Sequence, residues 1–479
     1  MVRISVSPAA AAAALEDSYI VLFKAKDPRA ARLFEFAELL YNAGKLTADD
    51  VVAYINDVLS ATAADYVADV FQRRFSVGFA ASIFDSLSVS KAASICDSAN
   101  LSASKAASIC DSLSVSKVVS IFNNANLTAS KAYSILAHAN LSADKSQSIL
   151  YNMTSATKLV DILTYGAEDL TVSSGMSISG VNRYRILTVA SGVTLTITGQ
   201  PGVLILKTLS NNGTITKSAT GGAGGTPGAT GAGEGGAGGG GFVIFADSFG
   251  NGGVISADGE AGVAGTTVGT NAIGGAGGSG VFFRAGTDAA GSGGAGGNSS
   301  GGSYNPGGVN GAGGGGRGSD YYGGAGDGSS YTTFADYASL ATRITQSVID
   351  WVIVNVFFKS PTSTQAIPNA YGSGGGGGGC RDTYCAGGGG GGGGGEVLAL
   401  CVSLNNTGTI SAKGGNGGNG GTEGSYDACG GGGGGGIVYA LYKTLVASGT
   451  LSADYGTHGT TADYHGTNGT AGTATAQAV

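Results

Sequence analysis

The sequence predicts a multidomain protein in which an α-helical part is followed by a glycine-rich β part. A short motif with helical spacing recurs before residue 166, and alternating β-branched residues with long glycine runs follow it. Glycine makes up 91 of the 479 residues, yet 42% of the chain is hydrophobic and only 12% is charged. Disordered chains are poor in apolar residues and rich in charge. We therefore expect the glycines to belong to a folded structure.

Residues 1–76 are predicted to form a helical attachment domain. Pro28 stands where a first helical turn accepts proline, and Gly44 stands where a helix commonly ends. The apolar residues that follow Thr47 have helical spacing. We interpret this apolar stripe as a core or as a docking face for partner chains, and no cofactor is predicted.

Residues 77–166 are predicted to form an α-solenoid stalk of short helices. The motif Leu-Ser-x-Ser-Lys-Ala-x-Ser-Ile recurs at nearly regular intervals through this region. Helices this short are marginal alone, so Leu and Ile are expected to face a continuous interior, with successive units stacked in pairs. The Ser or Thr after each Leu is predicted to cap its helix, and each Lys is interpreted as a solvated first-turn residue. The caps are Ser88, Ser102, Ser114, Thr128 and Ser142, and the lysines are Lys91, Lys105, Lys117, Lys131 and Lys145.

The same motif contains Ser-x-x-Lys, which matches the nucleophile motif of penicillin-interacting enzymes. Five copies argue against catalysis, because an enzyme needs one nucleophile in one pocket with supporting groups. The sequence offers no His-centred triad, paired carboxylates or phosphate loop beside them. We therefore predict that the protein is not an enzyme and has no catalytic residue.

Charge and hydropathy restrict the expected partners. The net charge is −7 and the 25 Lys and Arg form no basic stripe, so nucleic acid is not an expected partner. The most apolar stretch, residues 351–358, is far shorter than the roughly 20 residues of a membrane span, so no span is predicted. The first residues lack the apolar core of a secretory signal, so no export signal is predicted.

Residues 167–217 are predicted to form β-strands with hairpins at Asn-Gly turns, and residues 218–479 a glycine-rich β domain. Matched rungs in the second region combine an apolar strand, a turn and another short strand, as in Val397–Leu400 followed by Asn406–Ala412. The glycine runs between rungs are either flexible linkers or packed polyglycine II helices, and we favour the second. A glycine-free insert at 331–360, predicted to be one helix and one strand, is expected to supply the side-chain core that the glycines lack.

The cysteines and histidines predict no metal centre. Cys96 and Cys110 occupy one slot of the helical repeat and are interpreted as small apolar filler. Four further cysteines lie in or beside glycine runs, where one or two disulfides would stabilise the fold. They are Cys380, Cys385, Cys401 and Cys429. His458 and His465 lie close in sequence to Asp454 and Asp463, but this arrangement is a weak metal signal.

The rung GGGGGG-EVLAL with NNTGTISA at 390–415, and its partner GGGGGG-IVYALYKTL with ASGTLSA at 431–453, resemble the glycine-rich adhesins and receptor-binding tips of tailed-phage fibres. The resemblance implies a polyglycine sandwich that displays variable loops at a distal end. It also implies a virion fibre or spike protein, located on the virion surface, that attaches to a host glycan or protein. The helices of residues 1–165 suggest a structural protein of an archaeal virus particle, joined to other virion proteins, and a homo-oligomer is expected.

Aromatic and polar residues flanked by glycines are the candidates for receptor binding. Tyr rings suit stacking on sugar rings, and Asn, Asp or Arg side chains suit recognition of sugar hydroxyls. The other interpretation is that these tyrosines pack over neighbouring glycine strands. The candidates are Tyr304, Asn305, Asp320, Tyr321, Tyr322, Arg381, Asp382, Tyr384, Tyr426 and Asp427. The alternative function is a cellular surface-layer, filament or matrix protein that assembles laterally.

Overall fold

The computed structural model describes residues 17–57, 64–217, 234–265, 387–420, 429–460 and 466–478, together with Phe357 and Lys359. The chain forms two compact units. A helical unit comprises residues up to Tyr165 with Ile349–Thr364, and a β unit comprises the remainder from Gly166 onward. The predicted order of helices before strands is confirmed. Residues on both sides of the expected boundary at 76/77 lie in one unit, because an aromatic cluster that includes Phe71, Phe75 and Phe79 runs across it.

The described part of the helical unit contains eleven α-helices and one 3-10 helix. The 3-10 helix is Pro28–Phe36, and the α-helices are α1 (residues 17–24), α2 (Ala37–Asn42), α3 (Ala48–Asp57), α4 (Ala64–Arg73), α5 (Val77–Ser86), α6 (Val89–Asp97), α7 (Ala103–Ser112), α8 (Val115–Asn123), α9 (Ala129–Ala137), α10 (Ala143–Asn152) and α11 (Ala156–Leu163).

The short helices stack as the repeat predicts. From α3 onward each helix packs against the second helix along the chain, so that two consecutive units form one turn of the solenoid. The repeated Leu and Ile fill its interior, as Leu101, Ile109, Leu127 and Ile135 show with no exposed surface. Ser88, Ser102, Ser114 and Thr128 cap their helices by accepting a hydrogen bond from a backbone N–H three residues on.

Ser142 departs from the predicted cap geometry. It makes no side-chain cap bond, and its backbone N and Oγ instead donate to Asp111 Oδ1 at 3.0 and 2.9 Å. The capping residue Thr128 makes the same pair of bonds to Asp97 Oδ1, both at 2.7 Å. These bonds join each helix start to the end of the helix three units earlier, which couples successive turns of the solenoid.

The repeated lysines are half-buried and their ammonium groups bind backbone carbonyls, so their interpretation as solvated residues is wrong. Lys105 Nζ donates to Phe75 O at 2.6 Å, and Lys117 Nζ donates to Leu87 O at 2.7 Å. Lys131, Lys145 and Lys158 make the same bond to Leu101, Leu113 and Leu127. In each case the acceptor is the residue before the cap of the helix two units earlier. The lysine therefore bridges adjacent turns of the stack, which the sequence spacing alone does not reveal.

Lys359 continues this series from a distant part of the chain. Its Nζ donates to Leu141 O at 2.7 Å, to Leu136 O at 2.5 Å and to Ser146 Oγ at 3.1 Å. Leu141 precedes Ser142 at the start of α10, so Lys359 occupies the lysine position of the next repeat. Phe357 is buried at 2% exposure and contacts the Tyr133 ring. These two residues of the 331–360 insert pack on the helical stack and not on the glycine domain, and the remainder of the insert lies outside the described residues.

A pH-dependent stability difference follows from the burial of Lys359. Burial lowers the pKa of Lys359 from its ordinary value of 10.5 to about 8, and the Asp111 carboxylate opposes the shift. Between pH 8 and 10.5 the unfolded chain therefore holds a proton that the folded chain has released, so this lysine makes the free energy of unfolding rise with pH in that window. Lys359→Met should remove this contribution, so the native chain gains stability over the variant as pH rises.

Urea unfolding followed by far-UV circular dichroism at several pH values measures this difference. Lys24→Met, which removes an exposed ammonium from the same unit, is the control for loss of charge. A native-minus-variant difference that stays constant from pH 8 to 10.5 would contradict the buried position of Lys359.

The described part of the β unit is one sheet of eleven strands in which every pairing is parallel. The strands are β1 (Leu170–Val172), β2 (Met176–Val189), β3 (Thr194–Asn211), β4 (Thr214–Lys217), β5 (Phe242–Asn251), β6 (Val254–Ser256), β7 (Glu396–Asn406), β8 (Thr409–Ser411), β9 (Ile437–Ala447), β10 (Thr450–Ser452) and β11 (Thr473–Ala478).

The sheet runs along two rows of strands. The first row is β5, β7, β9 and β11, and the second row is β4, β6, β8 and β10, with β3 pairing to β4 through Thr194–Ile197 and to β5 through Gly202–Asn211. A rung is one first-row strand, a turn and one second-row strand. The predicted hairpins are wrong, because strands that flank a turn pair with neighbouring rungs: β5 pairs with β3 and β7, and β6 with β4 and β8.

A stack of asparagines lies inside the turns of successive rungs. Asn211 Nδ2 donates to Asn251 Oδ1 and Asn251 Nδ2 donates to Asn406 Oδ1, both at 2.7 Å. Asn406 Nδ2 then donates to Ser448 O at 2.6 Å. All three side chains are at most 2% exposed. Because each buried amide is paired across rungs, this ladder fixes the register of one rung on the next.

Candidate binding surface at the end of the glycine segments

Seven glycine-rich segments adjoin the strands of the later rungs. Four entry segments lead into first-row strands, and three exit segments follow second-row strands. The entry segments are 234–241, 387–395, 429–436 and 466–472, and the exit segments are 257–265, 412–420 and 453–460. They therefore occupy the places at which the chain returns from one rung to the next. Earlier rungs make this return at Gly180 and at Gly199, which have φ values of 75° and 68°.

The segments are joined by backbone hydrogen bonds at every third residue. Within the entry segment 387–395, the N–H groups of Gly389, Gly392 and Gly395 donate to one exit segment at 2.9, 2.8 and 2.7 Å. Those of Gly391 and Gly394 donate to the next entry segment, both at 2.9 Å. One set of positions, three residues apart, thus bonds to the exit segment, and a second set with the same spacing bonds to the next entry segment. This arrangement satisfies buried amides without side chains.

Glycine is required at these contacts by distance. A Cβ on Gly392 would lie 2.0 Å from Ala237 O, and a Cβ on Gly433 would lie 2.0 Å from Gly392 O. A Cβ on Gly415 would lie 1.9 Å from Glu260 O. In each case the obstructing atom belongs to backbone, so it cannot rotate away as a side chain would.

One end of the segments is where the described chain stops and resumes on either side of residues 266–386, 421–428 and 461–465. A chain of hydrogen bonds crosses this end, from Gly459 N to Gly430 O and from Gly430 N to Gly418 O, both at 3.0 Å. It continues from Gly418 N to Gly389 O at 2.7 Å and from Gly389 N to Val263 O at 2.9 Å. Each of these residues lies within a few positions of the point where its segment leaves the described part of the chain. We call this the loop-bearing end.

The receptor-binding candidates belong to the connections that begin and end there. Eight of them fall in the connection between Gly265 and Gly387, and Tyr426 and Asp427 fall in the connection between Gly420 and Cys429. All ten lie outside the described residues, as does Trp351. The described residues that flank both connections lie at this end of the segments, whereas Phe357 and Lys359, inside the first connection, pack in the helical unit.

The cysteines of the β unit are buried thiols where they are described. Cys401 Sγ donates to Leu441 O at 3.4 Å, and burial raises the pKa of this thiol to about 12. Of the four cysteines considered for one or two disulfides, Cys401 and Cys429 form none, because both are free, buried thiols. Cys429 is buried and its Sγ accepts a hydrogen bond from Gly466 N at 2.9 Å. Cys380 and Cys385 lie outside the described residues. In the helical unit, Cys96 and Cys110 are fully buried, as the filler interpretation predicts.

His458 and Asp454, the two described residues of the His and Asp pattern near the C-terminus, have different hydrogen-bond partners. His458 Nδ1 lies 2.7 Å from Gly459 O, and Asp454 Oδ2 accepts a bond from Ser452 Oγ at 2.5 Å. His465 and Asp463 lie outside the described residues. Within the described ranges, no group of three His, Cys, Asp or Glu side chains has the geometry of a metal site. In the same ranges, no helix has the length and apolar character of a membrane span.

A polar face on the exit segments was not predicted. Asn416 Oδ1 accepts hydrogen bonds from Thr457 N and Oγ1 at 2.9 and 3.1 Å. Asn419 Oδ1 makes the same pair with Thr460, at 2.8 and 3.0 Å. All four residues are exposed. The signal that could have identified them is their spacing, since both the asparagines and the threonines are three positions apart and match the hydrogen-bond period.

Comparison with known proteins gives no relative. No protein-family model, no curated protein and no solved structure matches the chain.

Proposed function

We propose that this protein is a virion fibre or spike protein whose loop-bearing end attaches to the host cell surface. The observation that supports the proposal is that the described residues flanking the candidate-bearing connections lie together at one end of a scaffold built from bare backbone. A rigid scaffold that presents loops at one end is the common arrangement of binding surfaces. The ten receptor-binding candidates all lie in these connections.

In this proposal the glycine segments form a bundle of polyglycine II helices, which have three residues per turn and no internal hydrogen bonds. The three-residue spacing of the hydrogen bonds supports this assignment. The close backbone approaches at Gly392, Gly415 and Gly433 support it as well. Such a bundle costs much conformational entropy to order, and the dense network of amide bonds offsets that cost.

The helical unit serves as the attachment domain and stalk, and its partners are other virion proteins. The solenoid suits a stalk because each turn is tied to the next by lysine–carbonyl bonds and by cap–carboxylate bonds. The proposal includes no catalytic step. It places the protein on the virion surface.

The chemistry of the candidate residues suits a glycan receptor. Tyrosine rings stack on the apolar face of a sugar, while Asp, Asn and Arg side chains hydrogen-bond to its hydroxyls. Tyr321, Tyr384 and Tyr426 come from different parts of the chain, and together they sample both connections that carry candidates.

The test is binding of the labelled full chain to intact candidate host cells and to their extracted glycans. The triple variant Tyr321→Ala, Tyr384→Ala and Tyr426→Ala should lower the affinity by about tenfold or more, because buried tyrosines are frequent hot spots. The control variant, Tyr19→Ala with Tyr151→Ala, removes exposed tyrosines from the helical unit and should bind normally.

Saturable binding that the triple variant loses and the control keeps would support attachment through this end. Unchanged binding by the triple variant would remove these residues from the receptor site. If the protein binds no cells and no glycans, the attachment function is wrong.

A further inference from the structure

In the part of the chain that the structure describes, the first and last rungs of the β unit each contain only some of the strands of a full rung, and they contain opposite parts. At the last rung, β11 pairs with Ile437–Tyr442 of β9. Among the described residues, no strand lies on the outer side of Leu445–Ala447 or of β10. Within the described residues, the last rung therefore consists of β11 alone, which corresponds to the first half of a first-row strand.

The first rung contains the parts that the last rung lacks. It consists of β1, the turn at 173–175 and the start of β2 at Met176–Ser179. The register aligns Leu170 with Leu187, Leu209, Phe249, Leu404 and finally Leu445 across successive strands. In the second row, Met176 aligns with Leu195, Ile215, Ile255, Ile410 and finally Leu451. The strand segments of the first half-rung therefore align with the segments of β9 and β10 that β11 leaves without a neighbour in the described part of the chain.

The exposure of these columns changes only at their ends. Leu209 and Leu404 inside the first column are 1% and 0% exposed, whereas Leu445 at its end is 44% exposed. In the second column Ile255 is fully buried, whereas Met176 at its end is 41% exposed. Apolar side chains that would be covered by one more rung are thus left at both ends. Val446 forms a bulge beside Leu445 and is 64% exposed. A bulge residue is left out of the strand pairing, so a strand added at this edge would pair with Leu445 and Ala447.

The charges at the two ends are complementary in the same register. Arg185 N donates to Glu168 O at 2.9 Å, which extends the alignment of β1 back to Glu168. The same register position in the following strands ends at Lys443 in β9, which is exposed. Two interior residues of the same level, Lys207 and Asp247, already form an ion pair at 2.6 Å. Opposite charges on adjacent strands stabilise pairing at such positions.

We propose that the β unit binds a second copy of this chain head to tail, through the two incomplete rungs. The β1–turn–β2 half-rung of one copy lies along the outer edge of β9 and β10 of the next copy. In return, the outer edge of β11 lies along Val181–Tyr184 of the other copy, which the register places at the same level. The joint completes one rung, covers Leu445 and Met176, and sets Glu168 beside Lys443.

Such a joint joins two different surfaces, so each copy keeps one open end and the assembly grows as a chain. It uses backbone hydrogen bonds of parallel strands, as in strand addition to a sheet edge. Head-to-tail assembly does not depend on host attachment, because sedimentation tests the first and cell binding tests the second.

The test is sedimentation velocity of the full chain at increasing concentration. The native protein should sediment faster as concentration rises, while Leu445→Asp and Met176→Asp should each remain monomeric. Because each variant blocks a different end, an equal mixture of the two should form a dimer and nothing larger. Val254→Asp, at an exposed apolar residue on an interior rung, is the matched control and should assemble as the native chain does.

Three outcomes would overturn the proposal: a native chain that stays monomeric, an end variant that still associates, or loss of assembly in the Val254 control. Circular dichroism of each variant checks that the sheet is intact, which we expect because all three side chains are exposed. A mixture of the end variants that grows beyond a dimer would also contradict a head-to-tail joint.

Discussion

Gly392→Ala is expected to lower the free energy of unfolding of the β unit by about 3 kcal/mol or more, at or beyond the upper range of overpacking. The added Cβ would lie 2.0 Å from Ala237 O, well inside van der Waals contact. Gly392 also donates to Glu260 O at 2.8 Å and accepts from Gly415 N at 2.7 Å. Movement that relieves the clash would therefore stretch bonds to several neighbouring segments at once.

The control is Gly175→Ala, since a Cβ there would meet no atom within 4 Å and the residue lies outside the glycine segments. Both substitutions remove the same backbone freedom from the unfolded chain, so their difference reports the packing of the segments. Urea unfolding followed by tyrosine fluorescence measures both variants. If Gly392→Ala were as stable as Gly175→Ala, the segments would not pack as described, and the polyglycine II assignment would fail with them.

Asn406→Asp is expected to cost about 3 kcal/mol or more, because it places a charge in a fully buried ladder and removes a donor. Asn406 Nδ2 donates to Ser448 O at 2.6 Å, and a carboxylate oxygen in its place would face that carbonyl. The bond from Asn251 Nδ2 to the other oxygen could still form. The loss is therefore concentrated at the junction with the following rung.

Asn405→Asp makes the same chemical change one position away, at an exposed site, and should be nearly neutral. Burial raises the pKa of the introduced carboxyl at 406, so its protonation at low pH restores a donor. The difference in stability between Asn406→Asp and Asn405→Asp should therefore become smaller as pH falls. Thermal unfolding at neutral and acidic pH measures this difference. Equal stability of the variants at neutral pH would show that the ladder is not buried.

The helical half shows how much a repeat can predict. The period, the buried Leu and Ile, and most of the caps follow from local spacing, because an N-cap bond spans only about three residues. The role of Lys131 does not, since its acceptor Leu101 lies 30 residues back and becomes a neighbour only when the helices stack. Lys359 is a more distant case, as its acceptor Leu141 lies 218 residues earlier.

The β half shows the same division. The strand–turn–strand rungs are visible in the sequence, but an Asn-Gly turn is compatible with a hairpin or with a turn between two rows. Pairing between β5 and β7 decides that choice, and the whole segment 252–395 separates these two strands in the chain. The buried position of Asn251 follows from that pairing, because its amide partners belong to the rungs before and after it.

By itself the sequence determined the order of helices before strands and the helical repeat, because composition and local periodicity encode these properties; the candidate residues for binding stay a prediction. Tertiary structure alone decided that the strands are parallel, that the repeated lysines bridge turns of the stack and that the described residues flanking the candidate-bearing connections lie at one end of the glycine segments. Each of these depends on contacts between residues distant in sequence. The free energy of such contacts is set by packing and by the pairing of buried polar groups, which no local pattern specifies.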